Sequence, residues 1–371
     1  MSSVTPLSSF RKTIIGVLVR ESIIISFHRQ TPPVRMAVIE NANNQAQTTL
    51  YFFSAKDIDL NKKKITGTYF NKKSVLWEKK TFPYPDVFYK KGYVTPSLRG
   101  TLSKFEEQLK KMKVKNLNYL TGFNKWQVYE ELGKDKDFRN YIPHTILYQK
   151  QDDLKRMLDN TGKVYLKACR GGRGRQVIRV IHLPEGGYEY SCYIHRLHVK
   201  KVKTFKNLMD QISNFYGNRK FVIQEAIDLI TIDKSIIDMR AEVQKDGEGK
   251  ITLAAVPVRV SQSNSPITTH ASSYPFEYFF KTIMKYSDAE IEDLKERLSK
   301  FLVAAFQSIE KSFGPTGEIG IDVGLDKQGR LWFIECNSRS MKVSLFNAYD
   351  KTTINNSFVN LLEYAKFIHQ H

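Results

Sequence analysis

Residues 317–337 restrict the fold more than any other part of this chain, because they have the pattern of two strands joined by a tight turn. Ile319, Ile321 and Val323 alternate with smaller or polar residues, and this two-residue period is typical of a strand. Residues 326–329 supply turn chemistry, and the strand pattern then resumes. The sequence therefore predicts a β-hairpin in this segment.

The predicted hairpin carries three oxygen-bearing side chains where its strands end. Glu335 and Asn337 are two residues apart and share a face of the sheet, while Asp322 lies on the partner strand at about the same height. Three such ligands with spare coordination positions suit Mg²⁺ or Mn²⁺ bound to nucleotide phosphates. An acidic hairpin edge with a solvated turn has the same pattern, so this segment alone leaves both interpretations open.

The length and charge of the chain limit its architecture and its partners. With 371 residues, of which 41% are hydrophobic, it is expected to form two or three lobes. The net charge of +20 is concentrated in residues 1–120, which contain 21 Lys and Arg against 8 Asp and Glu. Such a balance favours acidic partners without identifying them.

Lysine clusters in the first third of the chain allow two interpretations. Tyr69, Phe70 and Trp77 lie between the clusters, and cations interleaved with aromatic rings are typical of nucleic-acid binding. Lysines that guard solvated strand edges give the same pattern and are the favoured interpretation, so nucleic acid is not the expected partner. Attraction of an acidic polymer or peptide substrate is a further hypothesis. The clusters are Lys62–Lys64, Lys72–Lys73, Lys79–Lys80 and Lys90–Lys91.

The cysteines and the apolar runs bear on where the protein functions. Three cysteines without a short metal-binding spacing indicate a reducing compartment, and Cys336 is expected to point away from its neighbours Glu335 and Asn337. The apolar runs at residues 14–19 and 23–27 are too short to span a membrane and are interpreted as strands. The sequence predicts a cytoplasmic protein with no membrane span.

Secondary-structure patterns indicate an alternation of strands and helices. Strands are predicted at residues 14–27, 36–54 and within 75–89, and apolar residues at three- and four-residue steps predict a helix at 97–113. This order indicates a basic α/β lobe with a partly parallel sheet. Further helices are expected at about residues 125–132, 151–158, 204–216 and 287–313, and strands at 164–168, 177–181, 221–227, 240–244 and 251–260.

A basic glycine loop follows the strand at residues 164–168. Gly171, Gly172 and Gly174 let backbone amides approach an anion closely, because glycine has no side chain in the way. Lys167, within the strand, is a costly charge unless it meets an anion. A mobile surface turn, and a lysine that reaches solvent, explain the same residues without a ligand.

The strand at residues 221–227 ends in an acidic turn, a pattern that fits an adenine site and equally a buried strand with a polar end. Arg240 and Glu242 share a face of a later strand. Arg240 and Glu242 either form a structural ion pair with each other, or Arg240 faces a phosphate or a carboxylate. Arg259 and His270 are further candidates for the site.

The order of these features resembles that of the ATP-grasp superfamily. Two lysines, the glycine loop, the acidic strand end, an arginine strand and finally Asp322 with Glu335 and Asn337 follow one another in the same order. Residues 35–371 are more narrowly similar to the YheC/YheD family, which is described as endospore coat-associated. The segments that carry this similarity are Pro83–Tyr89, Phe123–Tyr129, Phe221–Glu225, Ile237–Arg240 and Phe333–Asn337.

The resemblance implies an α/β (α+β) fold of ATP-grasp architecture, in which a lid and a C-terminal lobe hold the nucleotide between them. It also implies ATP and Mg²⁺ or Mn²⁺ as cofactors. The expected divisions are a strand-rich extension at residues 1–35, a basic pre-ATP-grasp lobe at 36–120, and the ATP-grasp domain at 121–371, with the lid at about 143–220 and the C-terminal lobe at about 221–371.

The residues that match the superfamily's motifs fall into three groups by implied role. For binding the nucleotide, the resemblance implies Lys125, Lys167, Gly171, Gly172, Gly174, Gln224, Glu225, Ile227, Asp228 and Asp233. For stabilising charge during the reaction, it implies Arg240, Lys167 and Arg259. The implied metal ligands are Asp322, Glu335 and Asn337.

The implied reaction is phosphorylation of a carboxylate by ATP, followed by attack of an amine or a thiol on the acylphosphate. This chemistry needs cations and a closed lid rather than a protein nucleophile. The carboxylate and the nucleophile are unknown, and spore-coat components are a further hypothesis for partners and location.

The chain departs from the family pattern at Ala168, where proline is usual, and at residues 268–275, where a glycine pair is usual. An ATP-binding scaffold without turnover is therefore the first alternative, and a nucleic-acid-binding protein the second.

Overall fold

A computed structural model of the protein describes residues 11–172, 174, 176–268 and 272–371. Within these ranges the chain forms three β-sheets, which pack with helices into separate hydrophobic cores. This arrangement confirms the predicted mixed α/β fold. No helix in the described ranges is both long and apolar enough to cross a membrane.

The N-terminal lobe is built around a central parallel strand. Its elements are β1 (Ile14–Leu18), α1 (Glu21–His28), α2 (Val34–Ala46), β2 (Thr49–Phe53), β3 (Ile58–Asp59), β4 (Lys64–Asn71), β5 (Leu76–Pro83), β6 (Val87–Lys90), α3 (Arg99–Lys111) and β7 (Lys115–Asn116). The strand order is β3-β4-β2-β1-β6-β7, with β5 paired to β4. Because β1 is parallel to both β2 and β6, the lobe is of the α/β type.

Two segments that were predicted as strands are helices. Residues 23–27 lie in α1 and residues 36–46 lie in α2, so the strand predictions were wrong for these residues, whereas β1 and β2 confirm them at Ile14–Leu18 and Thr49–Phe53. Ile24 and Phe27 of α1, three residues apart, are buried, whereas Ile25 is 44% exposed. The continuous apolar run concealed this helical period, since a short run of this kind fits a strand equally well.

The second sheet lies mainly in the part of the chain predicted as the lid, and we call this sheet with its helices the lid. Its elements follow α4 (Lys125–Lys134) and are β8 (Thr145–Leu147), α5 (Gln151–Thr161), β9 (Lys163–Ala168), β10 (Val177–His182), β11 (Tyr188–Ile194), β12 (Arg196–Val202), α6 (Phe205–Tyr216) and β13 (Phe221–Glu225). The strand order is β12-β11-β10-β9-β13-β8, and α5 and α6 bury Leu158 and Leu208 in the core beneath it. These elements confirm the helices predicted at residues 125–132, 151–158 and 204–216.

The third sheet belongs to the C-terminal lobe. Its elements are β14 (Thr231–Ile232), β15 (Ser235–Lys245), β16 (Ile251–Ala255), β17 (Val258–Val260), β18 (Ser272–Tyr274), α7 (Phe276–Tyr278), α8 (Asp288–Phe313), β19 (Glu318–Leu325), β20 (Leu331–Asn337), α9 (Val343–Ala348) and α10 (Lys351–Gln370). The strand order is β18-β17-β15-β19-β20, and β14 and β16 also pair with β15. The pairing of β19 with β20 confirms the predicted hairpin.

The last helix connects the C-terminal lobe to the N-terminal lobe. Phe358 and Leu361 of α10 pack in the same core as Ile15 of β1 and Ile39 of α2. Burial of large apolar side chains from both lobes in one core makes them a single packed unit. The lid has a separate core between its own sheet and helices.

The predicted domain boundaries stay predictions, although strand pairing bears on the boundary at residue 35. β1 lies before that residue and pairs with β2 and β6, which lie after it. Residues 11–35 therefore contribute a strand to the sheet of the N-terminal lobe.

Candidate functional site

The three predicted metal ligands lie together on the β19–β20 hairpin. Asp322 is the register partner of Glu335, and a bulge follows Asp322. The Asn337 side-chain amide donates a hydrogen bond to Glu335 Oε1 at 3.3 Å. Cys336 packs in the hydrophobic core, which confirms that it points away from its two neighbours. The hairpin thus groups two carboxylates and an amide on one face of the sheet, and hard divalent cations prefer oxygen ligands of this kind.

Helix α4 brings Lys125 to this group of ligands. Asn124 caps the helix by accepting a hydrogen bond from the Trp126 backbone N–H at 3.0 Å. The Lys125 ammonium forms an ion pair with the Glu335 carboxylate, and their side chains are only 14% and 21% exposed. A lysine predicted to contact phosphates therefore contacts a predicted metal ligand.

Lys167 reaches the same place from the lid. It is 6% exposed, so it does not extend to solvent, and its ammonium donates to Gln224 Oε1 at 2.6 Å. Gln224 in turn donates to the Thr145 hydroxyl at 2.8 Å. These hydrogen bonds fix a buried cation at the point where β9 and β13 of the lid lie next to each other.

The charges of Lys167 and of the hairpin carboxylate Glu335 shift each other's pKa values. Burial lowers the pKa of Lys167 to about 8, with Lys125 acting in the same direction, while Glu335 and Asp322 oppose this shift. Burial alone would raise the pKa of Glu335, but Lys125, Lys167 and Arg240 outweigh burial and lower it to about 2. Lid and hairpin charges are therefore near enough to influence each other's ionisation.

Two arginines complete the site from the C-terminal lobe. The Arg240 guanidinium donates to both oxygens of Asp322, and Arg259 Nη2 lies 3.2 Å from Asp322 Oδ2. Arg259 also donates to Asp238, from Nε to Oδ1 at 2.6 Å. Asp238 accepts a further hydrogen bond from the Thr268 hydroxyl at 2.7 Å. The sequence analysis missed Asp238, although its position two residues before Arg240 on β15 places both on one face.

The interpretation of Arg240 and Glu242 as an ion pair is not what the structure shows. Arg240 faces the carboxylate of Asp322, whereas Glu242 accepts a hydrogen bond from the Ser340 hydroxyl at 2.7 Å. The other interpretation, in which Arg240 faces a carboxylate or phosphate, agrees with the observed contact.

We call the charged residues around the hairpin ligands the cleft cluster: Lys125, Lys167, Asp238, Arg240, Arg259, Asp322 and Glu335. Its cations are suited to phosphate oxygens and its carboxylates to a divalent cation. Each hairpin carboxylate now has a protein cation as its partner. A metal ion together with an oligophosphate could replace these pairs by exchange, since the metal would take the carboxylates while the phosphates take the cations. The residues present therefore fit a metal–nucleotide complex.

The glycine loop continues directly from the strand that carries Lys167. Gly171 has a φ of 144°, a backbone conformation that favours glycine. Gly172 is exposed and Gly174 has a φ of 64°. Arg173 and Arg175 lie outside the described residues, and so does His270. The phosphate-binding role of the loop stays a prediction.

The residues predicted to frame adenosine line the connection between the lid and the C-terminal lobe. Glu225 accepts a hydrogen bond from the His144 backbone N–H at 2.9 Å, and half-buried Ile227 follows it. Asp228 is exposed and pairs with Lys327 at 3.0 Å, and Asp233 lies in an exposed turn with a φ of 46°. In contrast with Gln224, none of these four forms a hydrogen bond or ion pair with the cleft cluster in the described part of the chain. Their roles stay predictions.

The three-sheet architecture, with charged side chains converging from the lid and the C-terminal lobe, is that of an ATP-grasp protein. A family model described as YheC/D like ATP-grasp matches residues 113–368. The chain therefore belongs to the YheC/D-like ATP-grasp family, which confirms the prediction from sequence.

Relatives in Bacillus subtilis (strain 168) are similar over most of this chain. Endospore coat-associated protein YheD is 26% identical over 343 residues, covering 88% of this chain and 72% of YheD. Endospore coat-associated protein YheC is 22% identical over 302 residues, covering 79% of this chain and 81% of YheC.

Solved structures with the same fold include ATP-grasp ligases. The ligase PsnB, in complex with a variant of its minimal precursor, Mg and ADP, has a TM-score of 0.53 at 12% identity, with 95% of this chain and 99% of PsnB covered. The D-alanine-D-alanine ligase from Coxiella burnetii has a TM-score of 0.53 at 13% identity, with 97% and 96% covered. At such identities the likeness establishes the shared fold, and this confirms the predicted architecture.

Proposed function

We propose that this protein binds ATP with Mg²⁺ or Mn²⁺ in the cleft cluster and is an ATP-dependent carboxylate–amine or carboxylate–thiol ligase. The observation that carries the proposal is the convergence of Lys125 and Lys167 on Glu335. These cations come from α4 and from the lid, so the nucleotide would be held between two separately folded parts of the chain. The family and the shared ligase fold support the same activity.

Three groups of residues have distinct tasks in this proposal. Asp322, Glu335 and Asn337 would hold the metal ion, which supplies charge neutralisation on the phosphates when it is bound. Lys125 and Lys167 would bind phosphate oxygens once they leave their present partners, and Arg240 and Arg259 would offset charge on the group being transferred. The remaining contacts would come from Gly171, Gly172 and Gly174 to phosphate and from Gln224, Glu225, Ile227, Asp228 or Asp233 to adenosine.

The proposed reaction needs no protein nucleophile. A substrate carboxylate oxygen forms a bond to the γ-phosphorus while the bond to ADP breaks, which gives an acylphosphate and ADP. An amine or thiol then attacks the acyl carbon, inorganic phosphate leaves, and the nucleophile gives up its proton. Buried Lys167 and Arg259 favour this chemistry because cations in a site with little water stabilise developing negative charge strongly.

In this proposal the substrate is a peptide or another molecule that carries a carboxylate. The setting is the endospore coat. PsnB was solved in complex with its minimal precursor, and the relatives YheD and YheC are described as endospore coat-associated. These descriptions support, by similarity, a carboxylate on a peptide or coat component as the substrate.

An ATP-binding scaffold without turnover is the second candidate function. One observation favours it: the carboxylates of both Asp322 and Glu335 already form close ion pairs with protein cations. If a metal ion could not displace these cations, nucleotide binding would not lead to phosphoryl transfer. The two candidates differ in product formation rather than in nucleotide affinity.

Calorimetry and product analysis together test the proposal. The protein should bind ATP in the presence of Mg²⁺, and Lys167→Ala and Glu335→Gln should weaken binding at least tenfold. Lys155→Ala and Glu296→Gln, which remove exposed ion pairs on helices, are matched controls that should leave affinity unchanged. A new conjugate from cell extract, detected by mass spectrometry and absent with Glu335→Gln, would identify the ligase. Nucleotide binding without any conjugate would favour the scaffold, and flat titrations would reject both.

A further inference from the structure

We propose that the N-terminal lobe anchors a multiply charged acidic peptide substrate through a carboxylate-binding site formed by Arg20, Tyr93 and Arg339. This inference rests on the proposed function, because it names the substrate class for the same reaction. The site combines two loops of the N-terminal lobe with the segment that follows the hairpin ligands. None of these three residues belongs to the cleft cluster.

The site lies where parallel α/β sheets commonly bind ligands. In the sheet, β1 lies between β2 and β6. The chain continues from β1 to β2 on one side of β1, and β6 occupies the other side. The order of the strands therefore reverses direction between β1 and β6. Ligands of open α/β sheets bind outside the carboxyl ends of the strands at such a switch point. Arg20 follows β1 and Tyr93 follows β6, and both therefore lie at that end.

The loops after β1 and β6 are held close together. The Gly92 backbone N–H donates to Leu18 O at 2.7 Å. A Cβ at Gly92 would lie 2.5 Å from the carbonyl carbon of Val19, so this approach requires glycine. The tight packing positions Tyr93, which is 62% exposed, beside Arg20.

Two guanidinium groups share the Tyr93 ring. Arg339 Cζ lies 3.8 Å from the ring centroid and Arg20 Cζ lies 5.3 Å from it. Arg339 also donates to Gly92 O at 3.4 Å. In the described residues neither arginine forms an ion pair with a carboxylate, while Glu21 beside Arg20 is engaged by Lys56 at 2.5 Å. Two like charges held on one ring present a concentrated positive charge to an incoming anion.

Helix α1 adds to the attraction for an anion. It begins directly after Arg20, and no side chain caps its N-terminus. Uncapped backbone N–H groups and the helix dipole both favour negative charge at this end. The planar guanidinium groups match the two oxygens of a carboxylate, so the site has both the charge and the geometry for that group.

The anchored carboxylate differs from the one that reacts. Arg339 follows Asn337 by two residues, at most about 7 Å along the chain, so the proposed anchor lies on the segment that directly follows the predicted metal ligands. A carboxylate held by two guanidiniums has its oxygens engaged in hydrogen bonds, which makes it a poor nucleophile toward phosphorus. The substrate therefore needs at least two carboxylates, and an acidic peptide fulfils this requirement.

Binding of short peptides without nucleotide tests this site separately from the proposed reaction. Acetyl-tetraglutamate amide should bind the whole protein at least tenfold tighter than acetyl-tetraglutamine amide. Arg20→Gln and Arg339→Gln should each weaken the glutamate peptide about tenfold, and Arg339→Lys should recover part of the loss. Arg29→Gln removes the same charge from the other end of α1 and should change affinity less than twofold. Thermal unfolding and Mg-ATP titration of each variant verify the fold.

Four outcomes would overturn the inference. If Arg29→Gln weakened binding of the glutamate peptide as much as Arg20→Gln or Arg339→Gln, the attraction would be a diffuse one to the basic lobe. If the two peptides bound equally well, the negative charge of the peptide would not contribute to recognition. Tighter, Arg339-dependent binding of octathymidylate DNA would assign the site to nucleic acid. Free glutamate binding as tightly as the peptide would assign it to a small dicarboxylate. If the proposed ATP chemistry fails instead, nucleotide titrations are flat while the peptide results are unaffected.

Discussion

Two groups of charged residues lie along the same face of β15 and β19, and they differ in what can reach them. The cleft cluster contains Asp322, which pairs in register with Arg240. The second group, which we call the interlobe cluster, comprises Tyr89, Lys91, Glu242, Glu318 and Lys342. It lies where β6 of the N-terminal lobe meets β15, β19 and the segment before α9.

The interlobe cluster is almost completely shielded from solvent. The side chains of Glu318 and Lys342 are 1% exposed and their charged atoms lie 3.3 Å apart. Lys91 donates to Glu318 Oε1 at 2.6 Å and to Ser340 O at 2.9 Å. In the cleft cluster, Lys125 and Glu335 are 14% and 21% exposed. The Lys125–Glu335 pair is therefore more open to exchange with a ligand than the Lys342–Glu318 pair of the interlobe cluster.

The largest expected effect is the loss of stability on removing the central interlobe carboxylate. Glu318→Gln leaves Lys91 and Lys342 buried with less compensating negative charge, which should reduce the free energy of unfolding by about 3–5 kcal/mol. Urea unfolding followed by circular dichroism measures the change. Glu363→Gln breaks a more exposed pair and should have little effect. A Glu318→Gln protein as stable as the parent would remove the distinction between the two clusters.

Glu335→Gln should affect the nucleotide far more than the fold. Loss of a carboxylate from the predicted metal site should reduce Mg-ATP affinity about 10- to 100-fold, while the partly exposed Lys125 can regain water. The unfolding free energy should therefore fall by less than half of the loss seen for Glu318→Gln. Calorimetry and urea unfolding of both variants provide the comparison. Equal destabilisation by the two substitutions would contradict it.

Lys167 should make stability depend on pH in the alkaline range. Its pKa is lowered to about 8 from a usual value of 10.5, so between these values the unfolded chain binds more protons than the folded chain. Stability should therefore rise with pH across this window by on the order of 1–2 kcal/mol. Lys167→Met should remove that rise, measured as urea midpoints at pH 8, 9 and 10. Lys155→Met, at an exposed lid position, should retain it.

The smallest expected effect is on the unfolding free energy when one cation and one carboxylate of the interlobe cluster are removed together. Lys342→Met leaves the carboxylates in excess, and Glu242→Gln leaves the cations in excess, whereas the double variant keeps the Lys91–Glu318 pair. The double variant should lose about 1–2 kcal/mol less stability than the sum of the single variants. A double-mutant cycle from urea unfolding measures this coupling. Strict additivity would show that the two residues act independently.

Local patterns predicted the parts of the site that depend on short stretches of sequence. The hairpin that carries Asp322 and Glu335, the helix that begins at Lys125 and the strand that carries Lys167 all follow from residue period or turn chemistry. The α2 helix was missed although Ile39, Ala42, Asn43 and Ala46 are buried at helical spacing. This spacing could have indicated a helix in the sequence, but the neighbouring apolar runs, which resemble strands, led to a strand prediction.

Contacts between distant segments could not be predicted in the same way. The Lys125–Glu335 pair joins residues 210 positions apart, and the Tyr89 and Lys91 contacts to Glu318 span more than 220. Periodicity gives the face on which each residue lies but not the element that packs on it. The family resemblance supplied the order of the cleft residues, whereas it assigned no role to Asp238 or to the interlobe cluster.

A crystal structure of the complex with a non-hydrolysable ATP analogue and Mn²⁺ tests the central claim most directly. We expect anomalous density for manganese bonded to Asp322 and Glu335, with Lys125 and Lys167 moved onto phosphate oxygens. Persistence of the Lys125–Glu335 and Arg240–Asp322 ion pairs, with the nucleotide bound elsewhere or not at all, would contradict it.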